Sequence, residues 1–139
     1  MKKAVIIFHS KTGITRRYAE EIEDYLRSKG LDVVSRSVKS YKKGECSDAD
    51  YLLLGCWTSG LMIMLQHPDA EWKGFAKDFE GNTGAKSLLF TTYKLLTGSM
   101  FRNMLSSIEG KIKTPSAEIK SRNGYLSESD RKILDNFID

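Results

Sequence analysis

Short unbroken apolar runs alternate along this chain with longer stretches of helical period. Lys3–Phe8 is continuous and apolar, the pattern of a strand covered on both faces. From about Ile14 to Lys29 the period changes. Ile14, Tyr18, Ile22, Tyr25 and Leu26 recur at helical spacing, Glu23 and Arg27 form an i,i+4 pair, and Gly30 supplies the stop. A second strand is predicted over about Asp32–Val38, followed by a polar loop, Ser40–Ser47, and a third apolar strand, Tyr51–Gly55. Cys56–His67 has no clear helical or strand period. Pro68 and Asp69 open a helix with Trp72, Phe75, Ala76 and Phe79 on one side and Gly81 at its end. Lys86–Thr92 reads as a strand. Tyr93–Thr97 is a loop, and Gly98 or Ser99 begins a helix that buries Phe101, Met104, Leu105 and Ile108. Ala117–Ser121 is the last strand. Asn123-Gly124 is a turn, and Ser127 with Asp130 forms a capping box on a helix that buries Ile133, Leu134, Phe137 and Ile138.

Strands alternating with helices predict a parallel sheet with helices on both faces. Ligands of such sheets sit where loops leave the carboxyl ends of the strands. Here those loops are Ser10–Thr15, Cys56–Leu65 and Thr91–Ser99. The first is the most informative. Ser10-Lys11-Thr12-Gly13-Ile14-Thr15 stands between a strand and a helix, rich in hydroxyls and with an unhindered glycine. The first N–H groups of a helix have no intrahelical partner, and its dipole adds partial positive charge, so this turn is a phosphate cradle. Its bland alternative is a simple strand–helix turn with Thr12 or Thr15 as cap.

Composition narrows the classes. The 139 residues suit one domain, and the formal charge of +4 is spread along the chain without a basic block or interleaved aromatics, which argues against nucleic acid. The apolar run after Met1-Lys2-Lys3 is too short for a signal sequence, and no stretch reaches the length of a membrane span, so a cytoplasmic protein is expected. Cys46 and Cys56 fit neither a disulfide framework nor metal-ligand spacing, even with His9 and His67 counted. There is no nucleophile elbow, Cys–His pairing or metal box, so any redox chemistry must be a cofactor's.

With these loops in place the chain resembles a divergent short-chain flavodoxin over essentially its whole length. Ser10–Thr15 matches the family's [ST]-x-T-G-x-T loop, which holds the FMN phosphate. Flavodoxins often read G-C-x-T-W-G in the first flavin loop, where this chain reads Gly55-Cys56-Trp57-Thr58-Ser59-Gly60. Thr58 and Gly60 keep their places, while the tryptophan stands two residues early. The second flavin loop of the family is commonly Gly-rich and acidic with a stacking tyrosine. Here Thr91–Ser99 offers Tyr93, has no acidic residue and carries Lys94.

The resemblance implies a three-layer α/β sandwich with a five-stranded parallel sheet of order 2-1-3-4-5. It also implies an FMN-binding one-electron carrier. The cofactor residues it implies are Ser10, Lys11, Thr12, Gly13, Ile14 and Thr15 for the phosphate, with Trp57, Thr58, Ser59 and Gly60 at one side of the ring and Thr92, Tyr93, Lys94 and Gly98 at the other. Trp57 and Tyr93 each read either as a stacking platform or as a core aromatic. Strand alternation aims His9 at a helix. Leu61–Leu65, five apolar residues in a loop, either folds onto the core, walls the flavin, or docks a partner or a second copy. The alternatives to an electron carrier are a flavodoxin-fold binding or regulatory module with weak or lost FMN affinity, and an FMN-dependent reductase of small electrophiles. Flavodoxins are typically acidic and dock on basic partners. This net-positive chain is expected to meet a redox protein through an acidic or apolar surface, as a monomer or weak homodimer.

Overall fold

A computed structural model of the chain describes residues 1–58, 70–94 and 98–139. Strand β1 (Lys3–His9) is an interior strand of the sheet and is buried on both sides. Ala4, Ile6 and Phe8 face one core while Val5 and Ile7 face the other, and none of the five is more than 4% exposed. This two-residue alternation explains why the run is apolar without interruption. The other elements are α1 (Ile14–Ser28), β2 (Asp32–Ser37), β3 (Tyr51–Trp57), α2 (Ala70–Asp78), β4 (Lys86–Thr92), α3 (Met100–Ser107), β5 (Ala117–Ser121) and α4 (Glu128–Phe137). All strand pairs are parallel, in the order β2-β1-β3-β4-β5.

The first core joins the sheet to α1 and α4 through Tyr18, Ile22, Leu26, Leu134 and Phe137. The second joins it to α2 and α3 through Trp72, Ala76, Met104 and Ile108. Among the described residues the predicted elements are found in place, and the predicted opening of α2 at Pro68 and Asp69 lies outside them. Burial and extent differ in places: on α3 Met100 and Met104 are buried, while Phe101 and Leu105 are half-buried. On α1 the buried stripe is Thr15, Tyr18, Ala19, Ile22 and Leu26, with Ile14 and Tyr25 only half-buried. And β3 runs two residues past Gly55. Cys56 and Trp57 pair with Thr91 and Thr92 of β4, a non-local register that no local period displays.

The outer flank of β2 is closed by the chain's own groups. Asp32 N–H and Val38 N–H bond to Lys2 and Phe8 carbonyls, so residues 33, 35 and 37 turn their backbone groups outward. The Arg27 guanidinium donates to the Val33 carbonyl at 3.1 Å and that of Arg36 to the Ser35 carbonyl at 3.0 Å. Ser40 Oγ accepts from Ser37 N–H at 3.0 Å, and the Ser37 carbonyl takes the Tyr41 N–H at 2.9 Å.

A buried hydrogen bond ties α1 to α4. Tyr18 is fully buried, its hydroxyl donates to Asp130 Oδ2 at 2.8 Å, and its ring meets Phe90 edge-on. Asp130 also completes the capping box, with its N–H donating to Ser127 Oγ at 3.0 Å and its carboxylate accepting from Ser127 N–H at 3.3 Å. Burial first, and the adjacent Asp130 carboxylate second, hold the Tyr18 hydroxyl far above its ordinary ionisation range. The folded state thus favours the neutral phenol. That stability is present below the unfolded tyrosine's pKa near 10 and is lost as pH rises beyond it. Urea unfolding between about pH 10 and 12 is expected to lose up to about 1.4 kcal/mol per pH unit from this group. Tyr18→Phe should be less stable at neutral pH by about 1.5–3 kcal/mol, since it strips a bond from a buried carboxylate, and should show a shallower alkaline slope. An unchanged slope would exclude Tyr18 as its source.

Candidate functional site

Each strand's carboxyl end delivers a loop to one edge of the sheet, and the loop after β1 meets α1 there. Gly13 takes the N-cap position in the left-handed region, with φ 95°, where a side chain is strained. No side chain caps this helix and no acid stands in its first turn. The first intrahelical bond runs from Arg17 N–H to the Gly13 carbonyl, 3.0 Å, which leaves the N–H groups of Ile14, Thr15 and Arg16 as the helix's open donors. Ser10 Oγ accepts from Gly13 N–H at 3.0 Å, which folds the loop and keeps the serine's own proton available. Lys11, Thr12 and Gly13 are exposed. An uncapped helix start flanked by a lysine and two hydroxyls fits a phosphate, and Ser10–Thr15 stand together as the pattern requires.

The turn after β5 braces this cradle. Arg17 donates to the Asn123 carbonyl at 2.9 Å, and a Cβ on Gly124 would lie 2.6 Å from the Ile14 carbonyl oxygen. With φ +83° as well, position 124 admits only glycine without moving the first turn of α1.

Thr15 also ties the cradle to the sheet. Its side chain is 1% exposed, and its Oγ1 shares a 2.6 Å hydrogen bond with Thr92 Oγ1 at the end of β4. A second hydroxyl pair sits one residue over. Thr91 Oγ1 donates to the Cys56 carbonyl at 2.6 Å and lies 2.9 Å from Thr58 Oγ1, while Thr58 N–H donates to the Thr92 carbonyl at 2.7 Å. The phosphate loop and the loops leaving β3 and β4 are thereby linked through four threonines. Sequence reasoning named Thr15, Thr58 and Thr92 as cofactor residues. Thr91, which joins two of the loops, was named only as the start of its loop.

The two aromatic candidates lie at the same edge. Trp57 is half-buried at the end of β3, with Lys11 Nζ 4.8 Å from its ring centroid. Tyr93 is half-buried, its N–H donates to the Ser121 carbonyl at 3.2 Å, and Lys120 and Arg122 lie 5.7 and 5.5 Å from its ring. Lys94 is exposed, and Gly98 takes a positive φ of 47° just before α3. Ser59, Gly60 and Leu61–Leu65 lie outside the described residues. His9 faces a helix, as expected, with Nδ1 3.7 Å from Glu71 Oε2 on α2. Among the described residues there is no group of three or more potential metal-ligating side chains, and neither cysteine is in a disulfide. No described helix is long and apolar enough to cross a membrane.

The threonine pairing can be checked by a double-mutant cycle. Thr15→Val and Thr92→Val each leave a buried hydroxyl without its partner and should each cost about 1–3 kcal/mol in chemical denaturation. The double variant should cost less than their sum, by about 0.5–3 kcal/mol of coupling. Additive costs would mean that the two hydroxyls do not act together.

The family model for flavodoxins matches residues 6–132. A search of curated proteins finds no match. Among solved structures, two-electron reduced Megasphaera elsdenii flavodoxin superposes with a TM-score of 0.78 at 23% identity, covering 96% of each chain. A short-chain flavodoxin associated with a bacterial microcompartment gives 0.75 at 18% identity, covering 99% of this chain and 94% of that one. Oxidised flavodoxin 1 from Bacillus cereus gives 0.67 at 16%, covering 99% and 95%. At these identities the superpositions speak for the fold, and the family match speaks for descent: the chain belongs to the flavodoxin family, as a divergent short-chain member.

Proposed function

We propose that this protein is an FMN-binding electron carrier. The family and its fold support such a role in general. The observation that carries the reading in this chain is the uncapped, acid-free start of α1, wrapped by Ser10–Gly13 with Lys11 and Thr12 exposed. The open N–H groups of Ile14, Thr15 and Arg16 would hold the phosphate, helped by the Ser10 and Thr12 hydroxyls and the Lys11 charge. The buried Thr15–Thr92 pair holds the cradle in register with the β4 exit. Trp57 and Tyr93 would flank the ring, with Thr58, Ser59, Gly60, Thr92, Lys94 and Gly98 around it. Bound flavin supplies one-electron chemistry, and the protein supplies grip, orientation and charge.

The test is cofactor choice. The purified chain should take up FMN in preference to riboflavin by about tenfold or more, a difference of about 1.4 kcal/mol or above. Thr12→Ala should weaken FMN by about 1.5–3 kcal/mol and leave riboflavin unchanged. Equal affinity for the two flavins would refute the phosphate cradle. Colourless protein that takes up neither would favour a binding module that has lost its flavin.

The charge of the second loop bears on potential. No Asp or Glu occurs between residues 81 and 108, and Lys94 stands two residues past the end of β4. A cation there favours the more negative reduced cofactor. Lys94→Glu is therefore expected to lower the midpoint potential of bound flavin by some tens of millivolts, on the order of 1 kcal/mol, in a spectroelectrochemical titration. An unchanged or higher potential would remove Lys94 from the ring's electrostatic surroundings.

A further inference from the structure

The net charge of +4 conceals a strong polarity. Residues 10–19, 38–44, 93–94 and 122–127, which follow β1, β2, β4 and β5 at the sheet's carboxyl edge, carry no Asp or Glu. Lys11, Arg16, Arg17, Lys94, Lys120 and Arg122 are exposed at this edge. The carboxylates that approach it are engaged: Glu21 Oε1 accepts from Leu126 N–H at 3.2 Å, and Asp130 Oδ2 accepts from Ser127 N–H at 3.3 Å and from the Tyr18 hydroxyl. Glu71 at the start of α2 is turned towards His9 and Lys39. A molecule charged in this way is oriented by an anionic surface before contact.

Several of these cations are already placed. Lys11 lies over Trp57, Arg17 over Tyr125 at 4.8 Å, and both Lys120 and Arg122 over Tyr93. A side chain ordered on a ring loses less freedom on binding, and Arg with Tyr or Trp is the composition of protein-binding hot spots.

We infer that this carboxyl edge is the docking surface for an acidic protein. That such a partner would be a redox protein meeting the flavin rests on the proposed function, whereas the charge-led docking does not. Isothermal titration of the full chain, flavin-free and FMN-loaded, separates the two. The probes are an acidic [2Fe–2S] ferredoxin and, as the basic counterpart, cytochrome c.

The ferredoxin is expected to bind at low salt and to lose about tenfold in affinity between about 20 and 200 mM salt. Lys120→Gln/Arg122→Gln should weaken it by about fivefold or more. Lys77→Gln/Lys113→Gln removes the same charge from exposed positions away from this edge and should change it by less than about twofold. Cytochrome c binding as tightly, no binding of ferredoxin, or equal losses from the two variant pairs would overturn the proposal. Equal affinity for a short single-stranded DNA would replace the protein partner with nucleic acid. Ferredoxin binding by protein that cannot take up FMN would support the docking surface while overturning the flavin reading.

Discussion

The whole arrangement depends on β1 being sealed on both faces. Ala4, Ile6 and Phe8 need one cover and Val5 and Ile7 another, so helices must pack on both sides of the sheet. With all strands parallel, each connection must cross back over a face, and every strand therefore opens its carboxyl end at the same edge. The cradle at Ser10–Thr15 and the ends of β3 and β4 meet for that reason. None of the three would form a site alone. The buried Thr15–Thr92 and Thr58–Thr91 contacts convert this convergence into a fixed geometry, in a region where apolar packing gives way to hydroxyls.

What could be read from the chain, and what could not, divides by distance along it. The strand and helix periods, the Ser127–Asp130 box and the glycine-bearing turn between β1 and α1 are local patterns, each contained within a few residues, and they appear in the structure where the sequence implies them. The end of β3 is different. Cys56 and Trp57 precede a polar, glycine-bearing stretch that obscures any period, and only their register with Thr91 and Thr92 makes them strand. The Thr15–Thr92 and Tyr18–Asp130 bonds join residues 77 and 112 positions apart, and a threonine or a tyrosine carries no mark of its distant partner. The motif marks Thr15 within the loop but does not show that its side chain is turned inward onto Thr92.

Charge behaves in the same two-level way. The composition shows a mildly basic chain and nothing more. Only when the segments are laid on the topology do the acid-free turns after β1, β2, β4 and β5 gather at one edge, beside the candidate site. The basic character of this flavodoxin is thus a property of one surface, and the rest of the molecule is close to balanced or acidic.

The guanidiniums along β2 have a consequence of another kind. Parallel sheets end in a strand whose outward amides and carbonyls can template a further strand from any neighbouring chain. Here Arg27 and Arg36 occupy the outward carbonyls of Val33 and Ser35, and Ser40 and Tyr41 fold back over Ser37. Arg36 is itself held by Glu45 at 3.0 Å. An incoming strand would have to displace two charged side chains to reach the carbonyls of Val33 and Ser35. Sheet growth from this flank, and with it one route to fibrous aggregation at high concentration, is blocked by residues that take no part in the candidate site.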